Sequence, residues 1–266
     1  MGKKIRLERI FNRNTGKTVI VPMDHGVTLG PIEGIINIKE TATLIANGGA
    51  DAALVHKGAA RFGYRGYGKD LGLILHLTAG TALNIDPNKK VLVTSVKEAL
   101  KIGADCVSVR VNIGANDESS MLEILGNVSA ECDEWGMPLL AMMYARGGKV
   151  DSELRVEYIK HAARVGAELG ADIVKTSYTG DIDSFREVVR SCPVPVVIAG
   201  GVKSDSDEAF LKSVSDAMQA GAKGVAIGRN IFQHRNPELM TRRLCKIVHE
   251  NYSESEVMKI GWCTNA

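Results

Sequence analysis

A lysine interrupts the run Ala171-Asp172-Ile173-Val174-Lys175-Thr176-Ser177-Tyr178, which otherwise has the short, β-branched pattern of a buried strand. Gly170 opens the run and Thr179-Gly180 closes it. Desolvating an ammonium is costly. A lysine placed here therefore either carries its head to solvent at the strand end or gives up its proton. A neutral amine held this way is a nucleophile, and its characteristic reaction is Schiff-base formation with a ketone.

Other apolar runs also end in reactive groups. They are Asp24-His25, Lys57, His76, Asn112, Tyr144 with Arg146, Gly200-Gly201 and Gly228-Arg229. Asp24 is placed either to pass a proton to and from a substrate hydroxyl beside an imine, or to cap the turn that follows it. Tyr144 either directs its phenol at the imine carbon or is an ordinary rim residue. Lys57 is read with the basic segment Arg61 to Lys69 as part of a loop that binds or covers a substrate. His161, His234 and His249 read as surface residues, and no metal-ligand spacing appears.

Two glycine turns have the chemistry of an anion cradle: Ala199-Gly200-Gly201-Val202-Lys203-Ser204 and Ile227-Gly228-Arg229-Asn230. Glycines let backbone N–H groups approach a phosphate, and a helix capped by Ser204 or Asp205 would add partial positive charge. Arg229 offers a bidentate fork and Lys203 a point charge.

The elements that must hold these groups show a repeat. Gly49-Ala50-Asp51, Gly103-Ala104-Asp105, Gly170-Ala171-Asp172 and Gly221-Ala222-Lys223 each follow a helical pattern and precede a β-branched run. Strands starting near Thr18, Leu73, Pro138 and Pro195 lie between them. The Gly-Ala entries thus fall at the second, fourth, sixth and eighth strands. Helical segments are read at Ile38–Asn47, Val96–Ile102, Ser119–Trp135, Ser152–Leu169, Asp183–Ser191, Asp205–Ala220 and Pro237–Asn251.

This alternation suits an α/β fold, a parallel eight-stranded (β/α)₈ TIM barrel, with function at the C-terminal strand ends. A doubly wound sheet is disfavoured because no G-x-G-x-x-G follows the first strand. Val91-Leu-Val-Thr94 reads as a short extra strand. The whole of 1–266 reads as one domain, with a short amphipathic helix inside residues 1–16 (Arg6 to Asn12) and a surface extension at 252–266.

Composition narrows the partners. The chain is 45% hydrophobic with a formal net charge of +2, so neither a nucleic-acid nor a membrane partner is expected. Its five cysteines (Cys106, Cys132, Cys192, Cys245 and Cys263) are an odd, widely spaced set without C-x-x-C, which argues against a disulfide framework and for a reducing cytoplasm. No apolar run approaches membrane-spanning length, and the basic start Met1-Gly-Lys-Lys-Ile-Arg6 lacks the apolar stretch of a signal peptide.

With these residues assembled, the chain resembles the archaeal class I aldolases of the DhnA type. The likeness rests on Val21-Pro-Met-Asp-His-Gly26, Arg65-Gly-Tyr-Gly-Lys-Asp70, Ala171-Asp-Ile-Val-Lys-Thr176, Ala199-Gly-Gly-Val-Lys203 and Ile227-Gly-Arg-Asn230. Met137-Pro-Leu-Leu-Ala-Met-Met-Tyr-Ala-Arg-Gly147 and Thr176-Ser-Tyr-Thr-Gly-Asp-Ile-Asp-Ser-Phe185 draw it toward one branch of the family. That branch performs a transaldolase-type exchange between a ketose phosphate and L-aspartate semialdehyde on the alternative route to aromatic amino acids.

The resemblance implies Lys175 as Schiff-base former, Tyr144 as proton donor and Asp24 as proton acceptor. It implies substrate binding along Asp24, His25, Gly26, Val27 and Thr28 and along Tyr144, Ala145 and Arg146. Phosphate would sit on Gly200, Gly201, Gly228 and Arg229. No cofactor is implied, and the assembly would be a decamer of two pentamers. Ala145 stands where close relatives are expected to carry proline, which leaves the Tyr144 loop geometry open. Sibling readings are a class I fructose-1,6-bisphosphate aldolase, an FMN-dependent barrel using the same turns, and a non-catalytic sugar-phosphate-binding barrel.

Overall fold

The computed structural model describes residues 1–261. Eight parallel strands close into a barrel: β1 (Thr18–Pro22), β2 (Ala52–Val55), β3 (Gly72–His76), β4 (Cys106–Ile113), β5 (Leu139–Ala145), β6 (Ile173–Ser177), β7 (Val196–Ala199) and β8 (Gly224–Ala226). Each pairs with its neighbours in chain order, and β8 closes on β1 through Thr18↔Gly224 and Ile20↔Ala226. The Gly-Ala entries do precede the even strands. Gly49, Gly103, Gly170 and Gly221 all have positive φ (92°, 91°, 94° and 107°), the conformation that ends a helix at little cost only for glycine.

The aspartates of the repeat explain its third residue. Asp51 accepts from the Val19 N–H at 2.6 Å, Asp105 from Leu73 at 2.9 Å and Asp172 from Leu139 at 2.8 Å. Each carboxylate thus latches the start of the preceding odd strand to the start of its own even strand. Each also has a cationic or imidazole partner: His249 on Asp51, Arg9 on Asp105 and Lys3 on Asp172. The fourth copy carries Lys223, whose ammonium can only donate.

Strand alternation divides the apolar residues into two cores. Val19, Val107, Val109, Val111, Val174 and Ile198 face the surrounding helices. Ile20, Leu54, Ile74, Cys106, Leu140, Met142, Ile173 and Val197 fill the lumen. Ile10, Leu7 and Phe11 pack against the inner cluster, so the N-terminal segment plugs the barrel floor.

Most helices fall within a few residues of the sequence reading, and Ile38–Asn47 and Val96–Ile102 match it. Both are capped by side chains, Asn37 and Ser95 accepting from the N–H of Glu40 and Glu98. Two segments differ, the start of the chain and the extension from 252. The N-terminal helix is Gly2–Leu7 rather than Arg6 to Asn12; Asn12 instead closes a turn by accepting from the N–H groups of Asn14 and Thr15. The short extra strand read at Val91-Leu-Val-Thr94 is present as Val91–Leu92, which forms an antiparallel pair with Thr78–Ala79 at the neck of a loop over the β3–β4 side of the mouth.

The extension from 252 is not all surface. Ser253 and Glu256 form a reciprocal capping box for the helix Glu254–Met258, whose Val257 is fully buried. Residues 262–266, with Cys263, lie outside the described residues. Among the described residues no helix is long and apolar enough to cross a membrane.

Candidate active site

Lys175 faces the lumen. It lies two residues beyond Ile173 of the inner cluster and is in register with Met142 on β5 and Val197 on β7, both of which are also inside. Its residue is 6% exposed, so the amine stands in a nearly closed setting. The same alternation turns Asp24, His56, His76, Arg110 and Tyr144 to the inside near the C-terminal strand ends.

Asp24 occupies the N-cap position of the helix His25–Leu29, yet its side chain makes no capping hydrogen bond. The carboxylate is therefore free for other work. Burial alone would raise its pKa, but His76, His25, Lys175 and His56 outweigh that and hold it below the usual carboxylate value. His25 lies beside it, Nδ1 to Oδ1 at 3.6 Å, and stacks edge-on against Phe232 at 5.2 Å. Gly26 and Val27 are exposed, and Thr28 donates to the Gly80 carbonyl at 3.2 Å.

His76 is enclosed by hydroxyls, with Ser108 Oγ 2.8 Å from Nδ1 and Thr78 Oγ1 3.3 Å from Nε2. Burial pushes its pKa down to about 3; the Asp24 charge opposes this and His56, Arg110 and Lys175 reinforce it. The unfolded chain therefore binds a proton here between about pH 6.5 and 3 that the fold refuses. Its contribution to stability is complete above pH 6.5 and lost as pH falls through that window. Urea denaturation at pH 4.5 should show roughly 2–3 kcal/mol less stability from this group than at pH 7. His76→Gln should flatten the profile, and an unchanged slope would mean the ring is charged in the fold.

Tyr144 lies two residues beyond Met142, opposite Asn112 on β4. Arg110 and Arg146 stand over its ring at 5.0 and 5.4 Å from the centroid. Ala145 continues β5 in register with Ile113, and Arg146 pairs with Glu153 at 3.2 Å.

The two glycine turns meet through Asn230, which the sequence reading places in the second turn without a role of its own. Asn230 donates to the carbonyls of Gly200 and Val202 at 2.8 and 3.1 Å and accepts from the Ser204 N–H at 2.7 Å. Arg229 donates to the Gly201 carbonyl at 2.7 Å. Gly201 has φ +63°, and a Cβ on Gly228 would lie 2.6 Å from the Pro22 carbonyl oxygen, so neither position readily takes a side chain. The next helix, Asp207–Gln219, is capped by Ser206, not by Ser204 or Asp205. Its first turn carries Asp207 and Glu208, so this helix end adds little to an anion site. Lys203 is exposed.

Several sequence assignments change. Lys57 donates to the Val93 carbonyl and to Glu98, and it opens the helix Lys57–Phe62 rather than a loop. Arg61, Tyr64, Arg65 and Tyr67 line a cleft on the outer face of β2 and β3, away from the mouth, together with residues of the helices Ile38–Asn47 and Val96–Ile102. His234 and His249 are not surface residues: they are bonded to Asp207 and Asp51 with side chains 7% and 12% exposed. His161 is exposed.

Beyond Asn230, the sequence reading also left Arg110 and Lys90 without a place. Lys90, 3% exposed, donates to the carbonyls of Pro87 and Lys89. Burial, with Arg110 and Arg146 nearby, pushes its pKa down to about 8.

A closed parallel barrel that presents a lumen lysine at its mouth, beside a carboxylate, has the architecture of the barrel aldolases. The chain belongs to the DeoC/LacD family of aldolases, whose family model matches residues 18–234. It is 46% identical over 259 residues to 2-amino-3,7-dideoxy-D-threo-hept-6-ulosonate synthase 1 of Archaeoglobus fulgidus, covering 97% of this chain and 95% of the relative. It is 39% identical over 249 residues to 2-amino-4,5-dihydroxy-6-oxo-7-(phosphonooxy)heptanoate synthase of Streptomyces griseus, covering 94% and 91%. Among solved structures it resembles an archaeal fructose-1,6-bisphosphate aldolase with its catalytic lysine covalently bound to the carbinolamine intermediate. The TM-score there is 0.86 at 34% identity, covering 93% of this chain and 99% of that one.

Proposed function

We propose that this chain makes 2-amino-3,7-dideoxy-D-threo-hept-6-ulosonate by a transaldolase-type exchange through a Schiff base on Lys175. The observation that carries the proposal is the lumen position of Lys175, with Asp24 at the same mouth and Tyr144 on the adjoining strand. The relatives' names support the product, since both describe a seven-carbon 2-amino acid with a keto group at carbon 6.

Lys175, once deprotonated, attacks the ketone of 6-deoxy-5-ketofructose 1-phosphate remote from its phosphate and loses water to give the iminium. Asp24 takes the proton of the hydroxyl on C3. The C3–C4 bond breaks and its electron pair passes into the iminium, leaving an enamine of hydroxyacetone on the lysine. Hydroxypyruvaldehyde phosphate departs. The enamine carbon then attacks the aldehyde of L-aspartate semialdehyde, whose oxygen is protonated by Tyr144 or Asp24. Water releases the product, so the exchange is redox-neutral. The iminium does the work that a divalent metal performs in other aldolases.

The turns at Gly200-Gly201 and Gly228-Arg229 would hold the phosphate and orient the donor along the mouth. His25 to Thr28 and Tyr144 to Arg146 would line it. The odd, widely spaced cysteines favour a cytoplasmic location, and the family resemblance adds a homodecamer of two pentamers. Fructose-1,6-bisphosphate aldolase would use the same lysine and turns, and product mass separates the two readings. Incubation with the diketose phosphate and L-aspartate semialdehyde should yield the amino sugar acid only when both are present. Cleavage of fructose 1,6-bisphosphate at comparable rate, with no dependence on the semialdehyde, would reassign the activity.

A further inference from the structure

Two cations at the mouth, the buried Lys90 and the half-buried Arg110, have no carboxylate within ion-pair distance among the described residues. Arg110 follows Cys106 and Ser108 at inward positions of β4 and is in register with Met142, which is in register with Lys175. Its Nε donates to Asn112 Oδ1 at 3.1 Å, and its guanidinium stacks on Tyr144. Lys90 lies beside it in the loop over β4, its ammonium held only by backbone carbonyls at 2.5 and 2.9 Å. Asn112 Nδ2 donates to the Asn88 carbonyl at 2.6 Å and ties that loop to the strand. Arg146, over the other part of the same mouth, is the member of the group that has an ion pair, with Glu153.

Asp24 and Glu153 act on Arg110, and Asp86 on Lys90, only from beyond contact, so these partly desolvated cations lack a directly bound anion and suit one supplied from outside the chain. The glycine turns after β7 and β8 lie on one side of the lysine strand β6, and Arg110 lies on the other, two strands away on β4. A planar guanidinium stacked on an aromatic ring matches a carboxylate through paired N–H donors.

We propose that Arg110, backed by Lys90, binds the α-carboxylate of the amino-acid aldehyde acceptor, at a subsite separate from the phosphate cradle. This rests on the functional reading above. A separate carboxylate site lets the acceptor bind without competing for the donor's phosphate position, and it selects an amino-acid aldehyde over a simple one.

The test compares L-aspartate semialdehyde with 3-aminopropanal, the same chain without the carboxylate, using one donor throughout. Wild type should favour the semialdehyde. Arg110→Met should raise the KM for the semialdehyde by ~30-fold, with Arg110→Lys recovering part of the loss, as for a charge-assisted bidentate contact. Its kcat/KM for 3-aminopropanal and its borohydride trapping of the donor fragment on Lys175 should stay near wild type. Lys90→Met should shift the same preference by a smaller factor, and it serves as the test if Arg110→Met does not fold.

Equal losses on both acceptors would make Arg110 a structural residue and overturn the subsite. Loss of donor trapping would move Arg110 to the phosphate and overturn it as well. A wild type that joins the semialdehyde to no donor would instead sink the functional reading, and the subsite with it.

Discussion

Lys175→Met should abolish covalent capture of substrate and lower turnover on the order of 10⁴-fold or more, as expected when a covalent nucleophile is removed. Wild type incubated with the ketose phosphate and borohydride should gain the mass of the reduced fragment on one peptide, that containing Lys175. The variant should gain nothing. Its fold should survive, because the register neighbours of Lys175, Met142 and Val197, are apolar, and methionine has nearly the same length and no charge to desolvate. Equal or higher thermal stability with no adduct would separate chemistry from folding. An adduct that persists in the variant would place the imine elsewhere and remove the mechanism.

Asp24→Asn tests the next step. Its amide keeps the shape but cannot take a proton from a hydroxyl, so kcat should fall by ~100-fold or more while borohydride trapping persists. The side chain makes no capping bond, so the change should cost the local helix little. Near-normal turnover would return Asp24 to a structural role. Because His76, His25, Lys175 and His56 hold this carboxyl below its usual value against the effect of burial, the base should remain ionised throughout the neutral range. Activity should therefore show no loss near pH 5–7 that Asp24→Asn alone removes.

How much of this was legible in the sequence depends on the range of the interaction involved. The barrel followed from local signals: glycines that end helices, and β-branched runs after each. Lys175 could be placed because a strand's side chains alternate and its neighbours are apolar. The run Cys-Val-Ser-Val-Arg-Val-Asn-Ile held the same signal for Arg110, in inverted form. In a barrel the helix-covered outer face is the greasy one, so the polar members of that alternation point inward. Naming only its end, Asn112, missed the arginine.

Other features were not legible for a physical reason. His249 and His234 sit on an amphipathic helix or in a loop, and their burial depends on Asp51 and Asp207, close in space and distant in sequence. Lys90 lies in a loop whose placement is decided by contacts such as Asn112 to Asn88. Asn230, adjacent to the recognised Arg229, clamps a turn formed some thirty positions earlier, and no local pattern reports such a contact. The helix at Glu254–Met258 was within reach, since Ser253-Glu254-Ser255-Glu256 is a capping-box sequence.

The aspartate latches have a consequence for how this barrel can change. They stand at the opposite rim from the reacting groups, and their carboxylates are already bound by Lys3, Arg9 and His249. Retuning the chemistry by exchanging Arg110, Tyr144 or the glycine-turn residues leaves that lower rim untouched. One scaffold can in this way accommodate new reactants in small mutational steps, since tolerance for altered specificity is built in far from where specificity is decided.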